Sequence, residues 1–157
     1  MKKTQKRLGN KGFSLVELIV VIAIMAVLVG VLAPTLIKNV EKSRESTDVQ
    51  NLDSMRGAVV TMLSNEKYYD SLVPATGSTE YTVTFDGSCV LTGGSGTAFT
   101  TNQGDMQTEL YETVGNFKAK SKTAKDKAIT FTVSSLGKVS ASYKDATPKY
   151  VDTFTIE

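Results

Sequence analysis

The sequence predicts an α+β protein in which a long N-terminal α-helix, partly transmembrane, packs on a small antiparallel β-sheet. Three observations carry that prediction. An uncharged, largely apolar stretch of 20 residues, Leu18–Ile37, begins close to the first residue. Behind it the chain runs from Pro34 to Pro74 without another proline and meets its next glycine only at Gly57. Beyond residue 80, apolar and polar residues alternate in short runs separated by turn residues, the pattern of half-buried strands.

At the N-terminus, Lys2, Lys3, Lys6, Arg7 and Lys11 stand in the first twelve residues with no acid among them. The chain's 18 basic and 16 acidic residues therefore divide unevenly: residues 1–12 carry +5 and residues 13–157 carry −3. The basic excess belongs to a short tail, and the rest is mildly acidic. With 157 residues, 41% of them hydrophobic, there is room for one domain and an appendage.

The stretch Leu18–Ile37 is broken only by Gly30, Pro34 and Thr35. At 1.5 Å per residue such a helix covers about 30 Å, the hydrocarbon thickness of a bilayer. Cations ahead of it predict a cytoplasmic N-terminus and an exported remainder. Residues 38–48 are polar on all faces, as suits a helix leaving the membrane into water. From Val49 the pattern turns amphipathic: Val49, Leu52, Val59 and Leu63 recur at helical spacing, with Met55 and Met62 beside them. The spacing predicts one helix from about Phe13 to Ser64, roughly 80 Å long, with its first half bare and its second half packed on a domain. The expected organisation is a basic N-terminal tail over residues 1–12, a membrane-spanning segment over 13–37, and an exported globular domain over 38–157 that includes the second half of the helix.

Tyr81, Val83 and Phe85 alternate with threonines, and Asp86–Gly87 matches a two-residue hairpin turn, so Ser88–Thr92 is expected to return as the paired strand. The stretch Thr92–Gly104, rich in Gly and Thr, reads as a flexible loop. Asp105 is placed to cap a short helix ending at Val114, with Met106, Leu110 and Val114 on one side. A second alternating pair, Ile129–Val133 and Val139–Tyr143, flanks Ser134–Gly137, and Tyr150–Ile156 supplies a last strand. The whole reads as a long helix laid against a small meander.

A basic leader ending in Gly12, then Phe13-Ser14-Leu15-Val16-Glu17 and about 20 apolar residues, resembles the leader of type IV pilins and pseudopilins. The resemblance covers roughly residues 6–37 and beyond them extends only to architecture. It implies that a prepilin peptidase/methyltransferase cuts between Gly12 and Phe13 and N-methylates Phe13. It implies that Glu17 pairs with the N-terminal amine of a neighbouring subunit during assembly, and that Gly30 and Pro34 mark a helix kink. The implied partners are that enzyme, other copies of the chain and related pilins, the assembly machinery and the membrane. The implied location is the cytoplasmic (inner) membrane before assembly and the cell surface or pilus after it. Independently, Glu17 lies at the edge of a membrane span, where a charge costs up to about 2.5–3.5 kcal/mol if central and less near the interface. A residue at that cost implies a partner, and an amine on the next helix suits it. The bland alternative is a carboxylate that snorkels to the headgroups.

A secretory signal peptide has an apolar region of about 7–15 residues and a small-x-small cut after it. Here the run is longer, and Pro34 follows the best cut position, Ala33. Lone Cys89 excludes an intrachain disulfide and a paired-cysteine metal or redox motif; a small buried apolar role suits it. The chain has no histidine, which removes the commonest general base and metal ligand. With no nucleophile motif either, the expectation is a non-enzyme without a cofactor or metal. Thr92–Thr97 lacks the Gly-Lys-Ser/Thr ending of a phosphate loop.

Lys118, Lys120, Lys122, Lys125 and Lys127 fall within ten residues, opposed only by Asp126. The favoured reading is a solvated loop leading into a strand. The sharper reading is a contact for DNA or another polyanion through charge alone, since no aromatic residues interleave for base stacking. In all, the sequence predicts a structural subunit of a type IV pilus-like filament. A pseudopilin of a type II secretion or DNA-uptake system is the alternative, and a membrane-tethered binding protein or enzyme a third class.

Overall fold

The computed structural model describes residues 12–94 and 96–157; the expected leader, apart from Gly12, lies outside them. The chain divides into two units, one ending at Asn39 and one spanning Val40–Glu157. Helix α1, Leu15–Leu63, runs through both and includes Pro34 in its interior. In the first unit it is apolar on every face. From Phe13 to Asn39 every residue except Ala33 is exposed.

Within Val40–Glu157, α1 buries Leu52, Met55, Ala58, Val59 and Met62, a stripe at spacings of three and four that faces the domain core. Val49 and Leu63 pack at its margins. A second helix that periodicity did not reveal, α2, spans Glu66–Leu72. Asn65 caps it, its side-chain oxygen accepting the Lys67 N–H at 3.1 Å. One turn apart, Tyr68 and Leu72 turn inward.

The sheet contains β1 (Ser78–Phe85), β2 (Cys89–Thr92), β3 (Ile129–Ser134), β4 (Val139–Tyr143) and β5 (Thr155–Ile156). All neighbours are antiparallel, in the order β2-β1-β3-β4-β5. The fold class therefore stands as predicted, an α+β arrangement of a long helix on a small antiparallel sheet. It departs from a simple meander. The crossover after β2 brings β3 to the far side of β1, so Tyr81 pairs with Phe131.

Helix α3 makes that crossover and spans Thr97–Val114. It starts eight residues before Asp105, which lies inside it rather than at its cap. The threonine-rich first half hid the helix because Ser and Thr compete for backbone groups and weaken helix propensity. Tertiary burial of Phe99, Met106 and Leu110 overrides that preference. Thr100, Thr108 and Thr113 satisfy their hydroxyls on carbonyls four residues back.

Two loops also differ from expectation. Phe85 pairs with Cys89, so the β1–β2 connection is the three residues Asp86–Ser88, with Gly87 alone at positive φ. The glycines after β2 are there for close packing. A Cβ on Gly93 would meet the Glu80 carbonyl oxygen at 2.5 Å, and one on Gly94 would enter the Phe99 ring. Cys89 is buried, and burial pushes its thiol up to about 11.

Candidate functional site

Gly12, Phe13 and Ser14 precede α1 in non-helical, exposed backbone. A Cβ added at Gly12 meets nothing within 4 Å, so packing within the described residues does not require glycine there. Phe13 is 87% exposed. Glu17 sits in the first turn of α1, where the positive end of the helix dipole favours an acid. Ser14 and Glu17 have the spacing of a capping box. The first-turn bond from Leu18 N–H to the Ser14 carbonyl, 3.1 Å, marks the helix start. The Glu17 carboxylate forms no ion pair with another described residue.

Gly30 and Pro34 lie in the exposed part of α1. A Cβ at Gly30 also meets nothing, although glycine in a helix interior costs about 1 kcal/mol against alanine. Seventeen large apolar side chains between Phe13 and Ile37 are about half exposed or more. Covering them is worth about 1 kcal/mol each by area, on the order of 15–20 kcal/mol together. That exceeds the net stability of about 5–15 kcal/mol typical of a folded domain. α1 is the one helix among the described residues long and apolar enough to cross a membrane.

The second feature of α1 overturns the expectation of a helix solvated on all faces over residues 38–48. Glu41, Glu45 and Asp48, at positions i, i+4 and i+7 on one face, are buried. Their carboxylates accept backbone N–H groups from two loops. Asp48 takes Lys120 N–H and Ser121 N–H, each at 2.8 Å, one on each oxygen. Glu41 takes Lys122 N–H. Glu45 takes the Thr123 hydroxyl at 2.9 Å and the N–H groups of Lys149, Tyr150 and Val151. Burial by itself would raise the Glu45 carboxyl, but the bonds from Lys149, Tyr150, Thr123 and Val151 outweigh it and hold the group below the usual carboxylate range. The Tyr143 hydroxyl donates to the Asp48 carbonyl at 3.1 Å. Burial, reinforced by the Asp48 charge, raises its pKa far above the phenolic range.

This arrangement also explains the last strand. Tyr150 and Val151 give their N–H groups to Glu45 rather than to β4, so only Thr155–Ile156 of the expected Tyr150–Ile156 pairs. Sequence reasoning missed the site because acids at helical spacing next to a membrane span read as a polar face. Their spacing at 41, 45 and 48 puts them on one helix face but does not tell a buried face from a solvated one.

The five lysines of residues 118–127 are all exposed in the loop between α3 and β3. Asp48 and Glu41 fix the backbone of Lys120 and Lys122, the side chains of all five are solvated, and none forms an ion pair with a described residue. Lys118, Lys125 and Lys127 border a depression of about 430 Å³ lined also by Phe85, Phe117 and Asp126.

Residues 7–33 match the family model of the prokaryotic N-terminal methylation motif. The match supports a type IV pilin-like prepilin signal and carries the methylation and membrane character with it. No curated protein and no solved structure matches the chain. The motif points to a structural, non-enzymatic protein and implies processing by prepilin peptidase and assembly with pilin-like partners. Together with the apolar N-terminal helix it points to membrane anchoring.

Proposed function

We propose that this chain is a structural subunit of a type IV pilus-like filament, held in the membrane by α1 before assembly and joined to its neighbours through α1 afterwards. The observation that carries the reading is the coincidence of two features. The methylation motif spans residues 7–33, and the same residues from Leu15 onward form a helix with all its large apolar side chains exposed. A bilayer covers such a helix in the precursor, and neighbouring copies cover it in a filament.

In this reading prepilin peptidase removes residues 1–12 by cutting the Gly12–Phe13 bond at the cytoplasmic face. Gly12 lets the protease approach the backbone closely. The cut removes five positive charges that would repel one another between packed helices and frees the Phe13 amine, which is then methylated and stays cationic. Glu17 of one subunit neutralises that amine on the next in low dielectric, while Gly30 and Pro34 allow the helix to bend. The exported domain follows from residue 38. Secretion and DNA-uptake pseudopilins share the leader, and they differ in staying with the envelope instead of forming long surface filaments.

The test is to shear cells that make only the Glu17→Ala chain. Removing the acid leaves an amine unpaired in the filament core, the damaging half of a broken buried pair. The variant is expected to insert and be processed, and to yield few or no filaments. Normal filament number and length would sink the assignment of Glu17.

A further inference from the structure

The unit Val40–Glu157 is electrically two-ended, and we propose that its basic end docks on the acidic end of a second copy of this chain. The inference rests on the filament reading for its setting, but not for its test. Between residues 66 and 112 the sequence holds seven acids and one lysine, whereas between 118 and 149 it holds eight lysines and two acids.

The fold keeps the exposed Glu66 and Asp70 of α2 apart from the lysine loop, whereas Asp86 lines the depression beside the lysines and Lys138, in the β3–β4 turn near Tyr69, is engaged by Glu157. The lysine loop is tied by its backbone to Asp48 and Glu41, at the start of this unit's part of α1, and adjoins Phe85 and Ile129 at one end of β1 and β3. Helix α2 follows directly on the other end of α1. Its Tyr69 ring lies 3.7 Å from where a Gly137 Cβ would be, beside the β3–β4 turn. The two ends are thus separated by the length of β1 or by α1 from Asp48 to Leu63, about 20–25 Å either way. That is well beyond the Debye length of about 8 Å at physiological salt, so neither end neutralises the other within one molecule.

Each end also has a built surface. Glu66 and Asp70 are exposed one turn apart on α2, with Tyr69, 41% exposed, beside them. Lys67 is engaged by Asp105 of α3 and does not offset this pair. At the basic end the lysines rim the depression with Phe85 and Phe117 in its lining, Asp86 and Asp126 being the acids there. An acidic helix carrying an exposed aromatic ring fits such a surface in both charge and polarity. The buried carboxylates beneath the lysine loop are occupied by backbone N–H groups, and Lys42 and Arg44 on exposed positions of α1 oppose their charge. A basic end and an acidic end on opposite sides of one molecule make a head-to-tail contact, which propagates instead of closing into a dimer. A polyanion would use the lysines and leave the acidic end without a role.

The experiment uses full-length chain extracted from cells into detergent micelles, where no shared bilayer holds two copies at one height. Two differently tagged copies are co-expressed, one with Asn116→Cys at the basic end and one with Ser64→Cys at the acidic end. Both positions are exposed and uncharged. A short thiol-to-thiol crosslinker is expected to join them. Reversing the first copy (Lys118→Glu, Lys122→Glu, Lys125→Glu) or the second (Glu66→Lys, Asp70→Lys) should lower the heterodimer at least about tenfold, because like charges then face each other. Combining the two reversed copies should restore it to within about twofold, which also shows that the reversed chains fold. No heterodimer with native charges, indifference to either reversal, or failure of the combined reversal to restore it overturns the proposal. Reversal that abolishes retention of added duplex DNA while leaving the heterodimer unchanged assigns the lysines to a polyanion and likewise overturns it. Shearing the same cells keeps the two readings distinct. A heterodimer without filaments supports the end-to-end contact and contradicts the filament, and filaments without the heterodimer do the reverse.

Discussion

The carboxylate of Glu45 accepts the backbone N–H of Tyr150 at 2.7 Å, joining α1 to a residue 105 positions later in the chain. The same group receives Lys149, Val151 and the Thr123 hydroxyl. Both loops that close this end of the domain are therefore held by a side chain in place of strand pairing. A buried charge is tolerated there because several donors converge on it.

Replacing Glu45 with Gln keeps the volume but turns an NH2 group toward backbone N–H groups. At least two donors lose their acceptor, so the domain should lose about 2–4 kcal/mol. Glu41→Gln, which gives up a single loop N–H, should cost less, about 1 kcal/mol. Urea unfolding of the full-length protein in detergent micelles measures both. Equal losses, or a Glu45→Gln loss below about 0.5 kcal/mol, would contradict the role given to this carboxylate.

The pH dependence has a definite sign. Glu45 is held below the usual carboxylate range in the folded state, so below about pH 4.3 the unfolded chain takes up a proton that the folded chain resists. The stability from ionised Glu45 is complete above that value and drains away as pH falls through the lower folded-state pKa. Urea midpoints between pH 7 and pH 3 should drop more steeply for the native chain than for Glu45→Gln. Parallel curves would show that Glu45 is not the group that titrates.

Gly93 combines φ of +102° with a backbone oxygen 2.5 Å from any added Cβ. Gly96 shares that φ but has open space around it. Gly96→Ala should therefore cost the conformational strain alone, about 1–2 kcal/mol, and Gly93→Ala distinctly more. Thermal unfolding of the two variants provides the comparison, and equal shifts would rule out the close approach to Glu80.

The parts of this fold legible in the sequence are those where one strong local signal acts. Apolar residues at helical spacing located α1 to within two residues at each end, and alternation located Tyr81–Phe85, Ile129–Val133 and Val139–Tyr143. What escaped depends on distant partners. Threonines at 97, 100 and 101 read as loop until Phe99 finds its place against Tyr81, ring centroids 5.6 Å apart. Tyr150 and Val151 read as strand until Glu45 takes their N–H groups. Glu41, Glu45 and Asp48 read as a solvated face because no local pattern distinguishes an exposed acid from one that will meet a backbone loop some 70 to 110 residues later. The N-terminal segment was legible for the opposite reason. Gly12 and Phe13 make few contacts within the described residues, and the methylation motif over residues 7–33 is carried by local sequence alone.

The central claim concerns that segment, and the N-terminus of the mature protein tests it most directly. In the proposed reading, the charge at residues 2–11 and the apolar span behind it put the Gly12–Phe13 bond at the cytoplasmic face of the membrane. Gly12→Val should leave uncut precursor in the membrane. Intact-mass spectrometry of the protein from its own cells should give a chain that begins at Phe13 and carries one methyl group on its amine. A mature chain that keeps residues 1–12, or one that begins beyond Ala26, would contradict the account.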